Sequence, residues 1–128
     1  IIGGAPLSPG TEVELEKLSV DTYATYGMTE TVSHVALRRI GDSLSLYRAL
    51  GGISFSIDER NCLIIYAPHF SVKEFVTNDV VELVDSRNFR WIGRYDHVIN
   101  TGGIKVFPEL IEKKIAGLFT RRFFCNVL

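Results

Sequence analysis

The sequence predicts an α+β fold built on a small antiparallel sheet or barrel, followed by a separate element at the end of the chain. Two pairs of strand-like runs carry this prediction, because a short polar turn joins the members of each pair. Residues 53–57 alternate between apolar and polar side chains and return over residues 62–67, and residues 80–84 return over residues 89–92. After residue 96 the pattern changes to a glycine hairpin and then a helix.

The first half of the chain mixes one helix with strands. Ser8 and Pro9, with Glu12 beyond them, are typical of a helix start, and we expect this helix to end near Ser19. Residues 20–26 are rich in threonine and tyrosine and predict a strand, as do residues 33–40. Residues 28–32 predict a turn or one helical turn, whereas residues 44–50 stay ambiguous.

Turn residues and one proline organise the second half. Residues 77–79, Thr-Asn-Asp, predict a turn that leads into the strand at 80–84, and Gly93 predicts another turn. Gly102 and Gly103 predict a hairpin. Pro108 predicts the start of a helix that reaches about residue 118, because a proline in the first helical turn loses no hydrogen bond. The chain begins within a strand-like run and ends in an apolar one, so we expect a fragment of a longer protein.

Composition excludes several classes of function. The 128 residues are 46% hydrophobic and 23% charged, which is typical of a globular domain. A net charge of −1 argues against a nucleic-acid or anionic-membrane partner. The longest apolar run, residues 62–67, is too short to cross a bilayer. Cys62 and Cys125 lack zinc-ligand spacing and are interpreted as reduced thiols of a cytoplasmic protein.

Two glycine-containing segments could contact a nucleotide. In YGMTET, residues 26–31, the glycine permits close backbone approach, and a hydroxyl followed by a carboxylate can serve a phosphate and its Mg²⁺. In Gly3-Gly4-Ala5, small side chains would let a flat ring lie against the backbone. Taken alone, each segment is more typical of an ordinary turn than of a nucleotide site.

Two charged residues further along the chain could bind a ribose. The Asp79 carboxylate can accept hydrogen bonds from both ribose hydroxyls, and Arg94 can donate to ribose or phosphate. The alternatives are a turn aspartate and a surface ion pair.

The order of these motifs is more specific than any one of them. GGAPLS, YGMTET, TND and GRYDHVINTGGIKVFPELIE together resemble the adenylate-forming (AMP-binding) enzyme family, which includes acyl-CoA synthetases, firefly luciferase and peptide-synthetase adenylation domains. The resemblance covers nearly the whole chain and is weakest over residues 44–75. It implies that residues 1–95 are the C-terminal, β-rich part of the large AMP-binding domain. Residues 96–128 would be the hinge and the truncated start of the small C-terminal domain.

The resemblance also implies a role for each motif residue. Adenine would lie between the wall formed by Gly3, Gly4 and Ala5 and the ring of Tyr26. The remaining roles would be phosphate contact by Thr29, Mg²⁺ binding by Glu30, ribose binding by Asp79 and Arg94, hinge motion at Asp96, and approach to the CoA tunnel by Gly102 and Gly103. Thr29 and Glu30 would be the catalytic pair. The family's usual Thr-Gly-Asp is Thr-Asn-Asp here, which makes the local geometry at Asp79 less certain.

The implied activity is that of an ATP-dependent carboxylate–CoA ligase, with ATP, Mg²⁺ and coenzyme A as cofactors or substrates. Within the family, the motif succession is most similar to the o-succinylbenzoate–CoA ligases of menaquinone biosynthesis, whose aromatic carboxylate would lie near Ser33 and His34. The alternatives are another acyl- or aryl-CoA synthetase, and a non-catalytic nucleotide-binding module or one that forms a homodimer through exposed strands. The family's phosphate loop and C-terminal catalytic lysine have no counterpart in this sequence, so we expect the chain alone to be inactive.

Overall fold

A computed structural model of the chain describes residues 1–31 and 34–118. The two helices in this part are α1 (Pro9–Glu16) and α2 (Pro108–Leu118). The strands are β1 (Tyr23–Gly27), β2 (His34–Arg39), β3 (Tyr47–Ala49), β4 (Ser54–Ile57), β5 (Cys62–Tyr66), β6 (Glu74–Asp85), β7 (Asn88–Arg94), β8 (Ile99–Thr101) and β9 (Ile104–Val106). Short 3-10 turns occupy Thr29–Thr31 and Tyr95–His97. Both predicted helices are confirmed, although α1 ends at Glu16 rather than near Ser19.

Seven strands form one antiparallel sheet in the order β1-β2-β3-β7-β6-β5-β4, and β8 and β9 form a separate hairpin. The predicted α+β fold is therefore confirmed, with an open sheet whose edges are β1 and β4. Ile2 pairs alongside β1: its N–H donates to the Tyr23 carbonyl, and its own carbonyl accepts from Thr25, both at 2.8 Å. The expected homodimer through exposed strands stays a prediction.

The turn expected at residues 77–79 is absent, because β6 runs straight through them. The first half of β6 pairs with β5, where Val76 faces Ile64, and the second half pairs with β7, where Asp79 faces Arg94. Local composition favoured a turn, but hydrogen bonding to two neighbouring strands outweighs that preference. A register shift between Val80 and Val81 is the local irregularity that remains.

The prediction of a turn at Gly93 is also wrong, since Gly93 lies within β7 and pairs with Val80. A Cβ atom built on Gly93 would lie 2.6 Å from Oε2 of Glu109 in α2. A side chain at this position would have to displace the Glu109 carboxylate, so a glycine suits the close approach of α2 to the strand.

The hydrophobic core centres on Phe89, which is fully buried. The ring centroids of Tyr26, Tyr47 and Phe55 lie 5.2, 5.3 and 4.9 Å from that of Phe89. This aromatic cluster brings Tyr26 of β1 against the central strand β7, three strands away in the sheet. Neither described helix is long and apolar enough to cross a membrane.

Candidate functional site

Asp79 is the centre of a polar cluster that draws on three strands. Its Oδ2 accepts a hydrogen bond from the Tyr26 hydroxyl at 2.5 Å, and its Oδ1 accepts one from the Trp91 indole N–H at 3.1 Å. The backbone N–H of Asp79 donates to the Thr77 hydroxyl at 3.0 Å. With its side chain only 13% exposed, Asp79 is held in a single orientation by these contacts.

The alternation of β6 explains how this carboxylate reaches the cluster. Successive strand residues point to opposite faces, so Thr77 and Asp79 face inward while Asn78 faces solvent. The side-chain Oδ1 of Asn78 accepts a hydrogen bond from Nη1 of Arg60 at 3.2 Å. The asparagine that departs from the family's Thr-Gly-Asp therefore points away from the Asp79 carboxylate.

Tyr26 was expected to present a flat face to a base, but its ring packs edge-on against Phe89 and Tyr47. Its hydroxyl donates a hydrogen bond to Asp79. Burial raises the pKa of Tyr26 well above its ordinary value, and the negative charge of Asp79 raises it further. Tyr26 is therefore a neutral hydrogen-bond donor at physiological pH.

Arg94 lies between two aspartates at the end of β7. Its Nη1 is 3.7 Å from Oδ1 of Asp79, and its Nη2 donates to Oδ2 of Asp96 at 3.1 Å. The guanidinium is 43% exposed and so retains donors that face solvent. The structure brings together four of the residues singled out from the sequence: Tyr26, Asp79, Arg94 and Asp96. The predicted boundary between residues 95 and 96 falls inside the 3-10 turn Tyr95–His97.

Thr29 and Glu30 are exposed on the 3-10 turn that follows Tyr26 and Gly27. The buried Thr31 anchors this turn, because its hydroxyl accepts from the Met28 N–H at 3.0 Å and donates to the Met28 carbonyl at 2.8 Å. Within residues 1–31 and 34–118, no three acidic, histidine or cysteine side chains group as metal ligands. A single exposed carboxylate nevertheless fits Mg²⁺, which typically takes one or two protein carboxylates and fills its other positions with water and phosphate oxygens.

Local structure explains why glycine occupies positions 3 and 4. A Cβ atom on Gly3 would lie 1.9 Å from Oγ1 of Thr25, so Gly3 is needed for contact with β1. Gly4 has a φ of 100°, which an L-residue rarely adopts, and Ala5 is exposed beside it.

The remaining predicted positions are the two glycines assigned to the CoA tunnel and the two residues assigned to the acyl pocket. Gly102 and Gly103, with φ of 55° and 85°, form the open turn between β8 and β9. His34 begins β2 and is paired with Gly27, next to the turn that carries Thr29 and Glu30. Ser33 lies outside the described residues.

Sequence reasoning did not assign Trp91 or Glu109 to the site. Oε1 of Glu109 accepts from the Arg94 backbone N–H at 3.3 Å and pairs with Nδ1 of His97 at 2.7 Å. Burial raises the pKa of the Glu109 carboxyl, but hydrogen bonds from its own N–H, from His97 and from Arg94 outweigh burial and lower it. Trp91 gave only the signal of an apolar strand residue, and Glu109 only that of a helix N-terminus, because their contacts depend on tertiary structure.

The fold of this chain is similar to that of several solved structures. An "acyl-CoA synthetase (AMP-forming)/AMP-acid ligase II-like protein" from Dyadobacter fermentans is 42% identical to the chain, with a TM-score of 0.69. The similarity covers 92% of this chain and 34% of that one. The chain shares the fold of the AMP-forming acyl-CoA synthetases. It is thus an α+β unit matching part of an AMP-binding domain, and it spans about a third of the length of that relative.

More distant structures share this fold. E. coli MenE with bound OSB-AMS is 22% identical with a TM-score of 0.68, over 89% of this chain and 28% of that one. The o-succinylbenzoate coenzyme A synthetase (MenE) of Bacillus subtilis, in complex with ATP and magnesium ion, is 18% identical with a TM-score of 0.66, over 84% of this chain and 28% of that one. At these identities the similarity concerns the fold alone. No protein-family model and no curated protein matches the sequence.

Proposed function

We propose that the chain is a segment of an ATP-dependent carboxylate–CoA ligase and that Asp79 binds the ribose of ATP. One observation carries the proposal. Tyr26, Asp79 and Arg94 come from three separate motifs. The Tyr26 hydroxyl lies 2.5 Å from Oδ2 of Asp79, and Nη1 of Arg94 lies 3.7 Å from Oδ1 of the same carboxylate. The 42% identity to an AMP-forming acyl-CoA synthetase-like protein supports the same assignment.

The charges around Asp79 suit a nucleotide. An ionised carboxylate accepts hydrogen bonds from hydroxyl groups, and the exposed guanidinium of Arg94 donates to ribose or phosphate oxygens. Thr29 and Glu30 lie on the exposed 3-10 turn that follows β1, and in this proposal the phosphates of ATP bind there. Thr29 would contact the phosphate, and Glu30 would hold Mg²⁺. The ion, when bound, offsets the negative charge of the phosphates.

The proposed reaction has two steps. A substrate carboxylate oxygen attacks the α-phosphorus of ATP, and the bond to pyrophosphate breaks to leave an acyl-adenylate. The thiol of coenzyme A then loses its proton and attacks the acyl carbon, which releases AMP and forms the thioester. In this scheme Asp79 and Arg94 hold the nucleotide, Asp96 is the hinge, and Gly102 and Gly103 lie near coenzyme A in the second step. Neither step needs a protein nucleophile.

For the carboxylate we propose an aromatic acid, o-succinylbenzoate first, in the cytoplasm. The motif succession YGMTETVSH to GRYDHVIN supports this choice, and Ser33 and His34 would lie near the acid. The alternative is another acyl- or aryl-CoA synthetase.

Pyrophosphate release tests the proposal in the complete protein that contains this chain. The protein is incubated with Mg²⁺–ATP and a panel of carboxylates, o-succinylbenzoate included, with and without coenzyme A. We expect carboxylate-dependent pyrophosphate release, and an acyl-CoA product only when coenzyme A is added. Turnover with a different acid would correct the substrate alone, whereas no release with any acid would contradict the ligase assignment.

A further inference from the structure

Trp91 is the single tryptophan of the chain, and its indole N–H points at the same carboxylate as the Tyr26 hydroxyl. The two donors engage different oxygens: Tyr26 binds Oδ2 at 2.5 Å and Trp91 binds Oδ1 at 3.1 Å. They also come from different strands, β1 and β7, while Asp79 lies on β6. The carboxylate is therefore held at both ends.

The Asp79 carboxylate still has acceptor capacity for a ligand. An ionised carboxylate offers two oxygens with about four lone-pair sites in all. One donor on each oxygen leaves acceptor capacity on both. Nη1 of Arg94, at 3.7 Å from Oδ1, is beyond hydrogen-bond distance and does not fill that capacity. Two acceptors side by side match two adjacent hydroxyl groups, as in the cis-diol of a ribose.

Arg94 is also the group that would compete for the carboxylate. It approaches the same oxygen that Trp91 binds, and an arginine–carboxylate pair is stronger when the contact is direct. Without the indole N–H, Oδ1 is free to turn toward the guanidinium, and the carboxylate loses its alignment with a diol. The indole hydrogen bond therefore favours the arrangement seen here, in which the guanidinium lies 3.7 Å from Oδ1 without a direct hydrogen bond to it.

We propose that Trp91 is a positioning residue that aligns the Asp79 carboxylate with a vicinal diol and so makes the site selective for ribonucleotides over 2′-deoxynucleotides. The inference rests on the proposed function, since it names what the same site selects. Trp91 acts through Asp79 in this scheme. If Trp91 only filled space against the core, its loss would weaken binding of both nucleotides equally.

The test compares ATP with 2′-deoxy-ATP by titration calorimetry on the complete protein, as wild type and as Trp91→Phe. We expect the wild type to prefer ATP, and Trp91→Phe to weaken ATP binding about fivefold, the effect of one misplaced hydrogen bond. Binding of 2′-deoxy-ATP should change less, so the preference ratio falls. Tyr47→Phe is the matched control, because Tyr47 packs in the same aromatic cluster and its ring lies against Phe89; its ratio should equal the wild-type ratio.

A second variant guards against misfolding. Replacing Trp91 by benzothienylalanine keeps the shape of the side chain and removes only the N–H donor. A wild-type ratio in that variant, or equal weakening of both nucleotides, would overturn the role of Trp91. If the wild-type protein bound neither nucleotide, the proposed function itself would fall, and the inference with it.

Discussion

The hydroxyl of Tyr26 donates to the carboxylate of Asp79 at 2.5 Å, although 53 positions separate the two residues in the chain. The contact joins the YGMTET motif on β1 to the TND motif on β6, two strands that are not neighbours in the sheet. The ring of Tyr26 packs edge-on against Phe89 of β7, the strand next to β6, and this packing directs the hydroxyl to Asp79. Packing of the core therefore determines the geometry of the candidate ribose site.

The first prediction concerns the ionisation of Tyr26. Burial and the neighbouring Asp79 raise the pKa of Tyr26, so the folded protein keeps this proton at a pH where the unfolded chain loses it. The stabilising contribution is thus complete below about pH 10 and is lost as the pH rises beyond it. We expect wild type and Tyr26→Phe to show equal tyrosinate absorbance near that pH while both are folded. One additional tyrosinate in the folded wild type would contradict the buried, hydrogen-bonded hydroxyl.

The second prediction concerns acid stability and Glu109. Burial raises the pKa of this carboxyl, but its hydrogen bonds lower it overall, so its contribution to stability is present above about pH 4.3 and is lost as the pH falls further. We expect Glu109→Gln to be less stable than wild type at neutral pH and to approach it in acid. Urea unfolding midpoints at several pH values measure this.

Glu14→Gln is the control for Glu109, because Glu14 is exposed and its carboxylate pairs with Lys17 at 2.7 Å. Surface pairs of this kind contribute little, so this variant should follow the wild type at every pH. A pH-independent difference between Glu109→Gln and wild type would show that the carboxylate charge is not what stabilises the contact between α2 and β7.

The third prediction concerns the contact of Gly93 with Glu109. A methyl group on Gly93 would lie 2.6 Å from Oε2 and 3.0 Å from Cδ of Glu109, so Gly93→Ala must shift the Glu109 carboxylate, whose Oε1 pairs with His97. We expect a loss of about 1–3 kcal/mol in the free energy of unfolding, as for overpacking of a well-packed site. Urea or thermal unfolding measures it.

A double-mutant cycle isolates this contact. In a Glu109→Ala background, Gly93→Ala should cost less, because the clashing atoms are gone. Gly10→Ala is the control, since the nearest atom to its Cβ would be 3.9 Å away and alanine favours the helix. Strict additivity of the Gly93 and Glu109 substitutions would contradict the predicted clash.

Much of the fold could be predicted from local pattern. The hairpin of β4 and β5, the helix that Pro108 opens and the glycine turn at Gly102 follow from period-two alternation and turn chemistry, and all three are present. Residues 77–79 could not be predicted in the same way. Their Thr-Asn-Asp composition favours a turn, whereas strand pairing on both sides keeps them extended.

The candidate site was predictable only in part. Motif resemblance singled out Asp79 and Arg94, and the structure brings their charged groups within 3.7 Å of each other. The hydrogen bond from Trp91 could not be foreseen, because it depends on the register that sets Trp91 opposite Val81 across a bulge. The ring of Tyr26 likewise depends on packing against Phe89, which no local motif contains.

The most direct test of the account is the affinity of the complete protein for Mg²⁺–ATP after Asp79→Asn. Asparagine keeps the size of the side chain, but its amide nitrogen faces a donor, either Tyr26 or Trp91, and it cannot accept at both ends. Glu82→Gln is the matched control, because it removes one negative charge from an exposed position of the same strand. We predict that Asp79→Asn weakens ATP binding by about 1–3 kcal/mol, roughly 5- to 150-fold, while Glu82→Gln leaves it unchanged. An unchanged dissociation constant for Asp79→Asn in a folded protein would contradict the assignment of Asp79 to the ribose.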